Sequence, residues 1–135
     1  MRNLDLLLKY IPLIEGDEIG EWVFVEVNDG SKEKPFRMPY VKYSEVVDNF
    51  LEDFYEFQNI NEDIDLFHYH KILEENNIEW NKVSMVNADV SMVNAECILA
   101  LITGAIRAER FSDGALLRFF KEGLILKWLE RLSEY

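Results

Sequence analysis

Ala95-Glu96-Cys97-Ile98-Leu99-Ala100-Leu101-Ile102-Thr103-Gly104-Ala105-Ile106 runs into Arg107-Ala108-Glu109-Arg110-Phe111-Ser112-Asp113-Gly114. Apolar side chains at Ile98, Leu99, Leu101, Ile102, Ala105 and Ile106 recur at three- and four-residue spacing, which predicts a helix reaching Phe111. Gly104 inside that run costs helix propensity, so another element is expected to pack closely against it. Ser112-Asp113-Gly114 breaks the helix and offers a new N-cap. Ala115, Leu116, Leu117, Phe119 and Phe120 form the next helix, which Gly123 stops, and Leu124, Ile125, Leu126, Trp128, Leu129 and Leu132 form the last. These three helices are expected to form the centre of the core.

Working back towards the N-terminus, Leu4, Leu7, Leu8 and Ile11 predict a short amphipathic helix over residues 3–11, ended by Pro12, with residues 15–20 as loop. Residues 22–27 are β-branched and aromatic and predict a strand, followed by turn chemistry at Asn28-Asp29-Gly30-Ser31. A return strand around Phe36-Arg37-Met38 would complete a hairpin, with residues 39–43 as connector. Ser44 is the expected N-cap of a helix carrying Val46, Val47, Phe50, Leu51, Phe54, Tyr55 and Phe57 on one side. A further helix is expected over about 64–75, ended by Asn76-Asn77. The fold class is therefore α+β, mainly α, with five or six helices and one small antiparallel β-hairpin.

A heptad then occurs twice. Val83-Ser84-Met85-Val86-Asn87-Ala88-Asp89 is followed by Val90-Ser91-Met92-Val93-Asn94-Ala95-Glu96. Seven residues are close to two helical turns, so a second copy could lengthen a helix while nearly keeping its face, or be looped out. It reads as a tandem duplication at a tolerant helix N-terminus, with no function attached.

With 135 residues, one domain is expected: an acidic part, 1–93, with the hairpin and amphipathic helices, and a helical core, 94–135. The 26 acids against 14 bases give a net charge of -12, and residues 1–93 hold all of the excess. Residues 43–79 contain eleven acids and one base, Lys71. Binding to nucleic acid normally needs several Lys and Arg contacts to phosphate, so direct binding is not expected. An acidic surface suits a basic protein partner or mimicry of DNA. The longest uncharged run, which begins at Cys97, is about half of the roughly 20 residues of a membrane-spanning helix. Asp5 and Lys9 interrupt the apolar N-terminus, which argues against a signal peptide. One cysteine forms no internal disulfide, so a cytoplasmic setting is expected.

Four charges, Arg107, Glu109, Arg110 and Asp113, fall within seven residues beside apolar neighbours. One reading is a structural corner: Arg110 pairs with Asp113, Asp113 caps the following helix, and Arg107 reaches over Phe111. The other is a site where two guanidinium groups hold a carboxylate or phosphate, with Tyr40 or Tyr43 contributing. No nucleophile stands beside a base, and no catalytic residue or cofactor is assigned. His68-Tyr69-His70 lacks a third histidine and a His-Glu-x-x-His pattern, so no metal ligand is assigned. Gly16, Gly20 and Gly30 do not form a phosphate loop. Cys97 is expected to be a buried small hydrophobe. The segment about Gly123 has too few exposed polar side chains in Leu124–Leu132 to read bases as a helix-turn-helix.

Arg107-Ala108-Glu109-Arg110-Phe111-Ser112-Asp113-Gly114, with Leu101-Ile102-Thr103 before it and Glu122-Gly123 and Leu129-Glu130-Arg131-Leu132 after it, resembles an uncharacterised bacterial domain-of-unknown-function family marked by Arg-x-Glu-Arg-Phe-x-Asp-Gly. Met38-Pro39-Tyr40-x-x-Tyr43-Ser44 and the aromatic helix ending Phe54-Tyr55 are similar to its first half. Ser112 departs from the family pattern, which has a cysteine there, so a mechanism needing that thiol would not operate. The resemblance implies bacterial origin and a shared fold, and it brings no assigned activity. The function expected from the sequence is that of a small cytoplasmic binding or accessory protein acting through protein contacts, with a partner protein or a second copy. The alternatives are a small enzyme or anion-binding protein centred on Arg107, Glu109, Arg110 and Asp113, and an acidic DNA-mimic inhibitor.

Overall fold

The computed structural model describes residues 1–16, 18–24 and 39–135. It is mainly helical, with one two-stranded antiparallel sheet. The order is α1 (Asp5–Leu8), α2 (Ile11–Gly16), β1 (Gly20–Val23), β2 (Tyr40–Tyr43), α3 (Glu45–Ile60), α4 (Tyr69–Glu75), α5 (Lys82–Val86), α6 (Ala95–Ala108), α7 (Ala115–Lys121) and α8 (Leu124–Leu132). Six of these helices have six residues or more; α1 and α5 are about one turn each.

Helix α6 is the centre. Every residue from Cys97 to Ile106 is buried, as befits a helix that is apolar all round. It packs against α4, α7 and α8. Gly104 has the expected close neighbour: the Trp80 indole N–H donates to the Gly104 carbonyl at 3.0 Å. A Cβ on Gly104 would lie 3.2 Å from the Trp80 ring. Helix α3 adds Val47, Phe50, Phe54 and Phe57 to the core. The Phe50 ring meets Phe120 of α7 edge-on at 5.9 Å and Tyr10 at 5.3 Å. Buried Cys97 has its thiol pushed up to about 11 by desolvation, so it is a packing residue rather than a nucleophile.

Three local expectations are corrected. Pro12 does not end the helical segment; it sits in the first turn of α2, where its missing N–H costs nothing. Residues 40–43 are not a connector but strand β2, with Gly20 opposite Tyr43 and Val23 opposite Tyr40. Aromatic and β-branched Tyr40, Val41 and Tyr43 suit that role. The turn at 28–31, the return strand at 36–38 and the end of the first strand after Phe24 lie outside the described residues. Ser44 precedes α3, but its hydroxyl is buried without a hydrogen-bond partner among the described residues. Its N–H instead extends the sheet by donating to the Ile19 carbonyl at 2.8 Å.

The repeated heptad does not lengthen a helix. Its first copy forms α5, capped by the Asn81 side chain, which accepts from the Ser84 N–H at 2.8 Å. Its second copy makes a 3₁₀ turn at Val90–Met92, and then Asn94 caps α6 by accepting from the Cys97 N–H at 2.9 Å. Identical residues therefore have opposite environments: Met85 is 1% exposed and Met92 80%. Urea denaturation should separate them, with Met85→Ala costing about 2–4 kcal/mol and Met92→Ala less than about 0.5 kcal/mol.

Candidate functional site

The chain turns from α6 into α7 through Arg107-Ala108-Glu109-Arg110-Phe111-Ser112-Asp113-Gly114. A helix start leaves several N–H groups without partners. Here the carboxylate of Glu109 accepts the Gly114 N–H at 2.8 Å and the Leu116 N–H at 3.2 Å. The Tyr43 hydroxyl donates to the same carboxylate at 2.9 Å and accepts the Leu117 N–H at 3.1 Å. One carboxylate and one phenol thus close the first turn of α7 and tie it to β2. Gly114 completes the joint. Its φ of 86° is left-handed, and a Cβ there would lie 2.4 Å from the Trp22 ring of β1, so both backbone and space require glycine.

Asp113 is not the cap. It is exposed, and among the described residues it has no ion pair with Arg110. The local sequence favoured Asp113 by proximity, whereas the left-handed turn at Gly114 aims the N–H groups back at Glu109. Arg107 is half-buried and lines a polar depression of about 370 Å³ together with Tyr55, Gln58, Glu62 and Asp65. Arg110 is exposed, and neither arginine has an ion-pair partner among the described residues. Nor does Arg107 lie over Phe111. The two guanidinium charges both act on the Tyr69 phenol. Burial raises its pKa, while the charges of Arg107 and Arg110 oppose the rise.

The six residues singled out from the sequence therefore divide. Glu109 and Tyr43 meet in the joint, the charges of Arg107 and Arg110 both act on the Tyr69 phenol, and Asp113 and Tyr40 are exposed. His68 Nδ1 lies 2.6 Å from the Asp65 carboxylate on the surface, while His70 stacks on Tyr69 and meets Trp80 edge-on at 4.9 Å. The eleven acids of residues 43–79 are also divided. Asp53 pairs with Lys9 and accepts from Tyr10, Asp65 faces His68, and Glu45, Asp48, Glu52 and Glu56 follow one another along α3.

Beside the joint is a feature that reading by motif missed. A cleft of about 240 Å³ lies between Trp80, Met85 and Lys82 on one side and Phe111, Arg118 and Phe119 on the other. Ser112 is also on its wall. The lining is mostly apolar. The Trp80 and Phe111 rings meet edge-on at 5.6 Å, and Phe111 remains 78% exposed. Lys82 is closed by Glu122 at 2.7 Å. Arg118 is exposed and has no such partner among the described residues. The available signal was a lone Trp80 in a polar stretch, 27 residues before the motif that faces it.

Glu109→Ala should lower stability by about 2–3 kcal/mol in urea denaturation, because buried N–H groups lose a charged acceptor. Tyr43→Phe should cost about 1–2 kcal/mol, and the double variant less than the sum, since the two groups share one network. Arg107→Ala should cost less than about 1 kcal/mol, as it breaks no ion pair.

The joint is also sensitive to alkali. Burial, the hydrogen bond to Glu109 and the charge of Glu109 raise the Tyr43 pKa above its ordinary 10.0. Burial and Asp53 raise that of Tyr10 in the same direction. The folded state therefore keeps phenol protons that the unfolded chain releases, so this stability is intact below pH 10 and is lost as pH rises beyond it. The fall in melting temperature between pH 8 and pH 11 should be smaller for Tyr43→Phe than for the parent protein.

A comparison with curated proteins found no match, and neither did one with solved structures. Comparison with protein families found one, described as a family of unknown function and matching residues 1–135. The chain belongs to that family, DUF6508.

Proposed function

We propose that the chain is a binding module that acts through protein contacts, and that the contact is the cleft beside Phe111. The observation that carries this reading is a large apolar side chain, 78% exposed, at the mouth of an apolar cleft. Exposed aromatics next to a pocket are what protein interfaces use as anchors. Phe111 follows directly on the residues of the joint, so its backbone is fixed before any partner arrives, which lowers the ordering cost of binding. Size also decides between partners. The cleft, about 240 Å³, is below the roughly 300–1,000 Å³ usual for small-molecule sites. It suits one bulky side chain of a larger partner.

The reading assigns Glu109, Tyr43 and Gly114 to holding the joint, and Trp80, Phe111 and Phe119 to contact. Titrating isotope-labelled protein with the blocked neutral peptide acetyl-Gln-Phe-Gln-amide should move the Trp80 indole N–H resonance saturably, leaving that of buried Trp128 in place. Phe111→Ser should weaken the effect several-fold with unchanged melting. A Trp80 resonance that stays still at millimolar peptide would refute the proposal.

A second reading is an anion site formed by Arg107 and Arg110, supported by two cations that have no ion-pair partner among the described residues and that both act on the Tyr69 phenol. Titration with inorganic phosphate separates it from the first. Saturable shifts at the two arginine side chains, lost in Arg107→Ala, would favour it.

A further inference from the structure

We infer that the occupant of the cleft is an acidic segment of a protein partner, inserting a bulky apolar side chain between Trp80 and Phe119 and setting a neighbouring carboxylate on Arg118. The inference rests on the cleft reading above and adds the partner's chemistry.

The charge distribution carries it. In a chain of net charge -12, residues 107–121 hold four bases, Arg107, Arg110, Arg118 and Lys121, and two acids. One of those acids, Glu109, is turned inward onto the Gly114 and Leu116 N–H groups. The residues lining the cleft include two cations, Lys82 and Arg118, and no carboxylate, on a chain of net charge -12. The groups at the cleft itself sharpen this. Lys82 is already neutralised by Glu122, and the Asn81 amide is held by Glu79 at 3.0 Å. Arg118 alone among the cationic groups lining the cleft has no carboxylate among the described residues. Its planar fork donates two parallel hydrogen bonds to a carboxylate, a geometry that a point charge does not select.

Two further features favour a peptide over a free aromatic acid. Phe111 extends beyond the cleft with most of its ring in solvent, a surface that a partner backbone covers and a small ligand leaves wet. The exposed Ser112 hydroxyl beside it can donate to or accept from a peptide backbone.

The test uses three blocked peptides, acetyl-Glu-Phe-Glu-amide, acetyl-Gln-Phe-Gln-amide and acetyl-Lys-Phe-Lys-amide, with 3-phenylpropionate as the small acid. The readout is the Trp80 indole N–H shift at 0.15 M salt, where the field of distant charges is screened. The acidic peptide should bind about threefold to fivefold more tightly than the neutral one, the size expected of one exposed ion pair, and the basic peptide most weakly. Arg118→Gln should bring acidic and neutral peptides level, and Arg118→Glu should reverse the order of acidic and basic. Lys127→Glu, an exposed change on α8, should leave the order as it was. Equal binding of acidic and neutral peptides, or preference for the basic one, overturns the inference while the cleft reading stands. No Trp80 shift with any peptide overturns both. Phenylpropionate matching the acidic peptide makes this a small-molecule site and also overturns the inference.

Discussion

A single carboxylate decides how the C-terminal helices are arranged. The N–H groups at the start of α7 point towards the end of α6, and Glu109 meets them there. Burying the two helices against each other would be costly if those donors had no acceptor, since an unsatisfied buried donor costs more than a hydrogen bond contributes. The Tyr43 hydroxyl extends the arrangement by linking the carboxylate to the Leu117 N–H and to the sheet. The small sheet thus has a purpose that its size alone would not suggest. A two-stranded ribbon is marginal in water, and here its end is fixed through Tyr43 and its Trp22 ring covers Gly114.

How far this was readable follows from the range over which each force acts. Apolar periodicity is local, and it placed α3, α6, α7 and α8 close to where they occur. Gly123, at φ 79°, separates α7 from α8 as its position predicted. Gly104 foretold a close neighbour, though not that the neighbour would be Trp80. What failed were partnerships across the fold. Capping rules look one to three residues ahead, so they chose Asp113 and Ser44, while the structure uses Glu109, five residues before Gly114, and leaves the Ser44 hydroxyl without a partner among the described residues. Strand β2 was hidden because Pro39 and the tyrosines of residues 39–43 read as connector until β1 lies opposite.

The heptad pair makes the same point within one sequence. Two copies with the same Val, Met and Asn positions should behave alike if local preference ruled. Instead, Val83 is 71% exposed and Val90 is 9%, and the methionines are reversed. Asn87 ends α5 while Asn94 begins α6. Seven residues bring a straight α-helix almost back to the same face, but the chain leaves the helix between the copies, so the phase is lost and tertiary packing chooses which side chain enters the core.

The motif at 107–114 combines two requirements that pull in different directions. Glu109 and Gly114 need burial and fixed geometry, whereas Phe111, between them, stands in solvent. A structural turn alone would be served by a polar residue at 111, because a phenylalanine with most of its ring in solvent adds little packing inside the molecule. Placing it on a turn held by the Glu109 hydrogen bonds makes sense if rigidity is useful outside the molecule. On the proposed reading, a docking partner would not have to order the Phe111 backbone, which the joint already holds. The capping carboxylate therefore serves the surface as well as the core, by holding still the backbone from which the exposed ring projects.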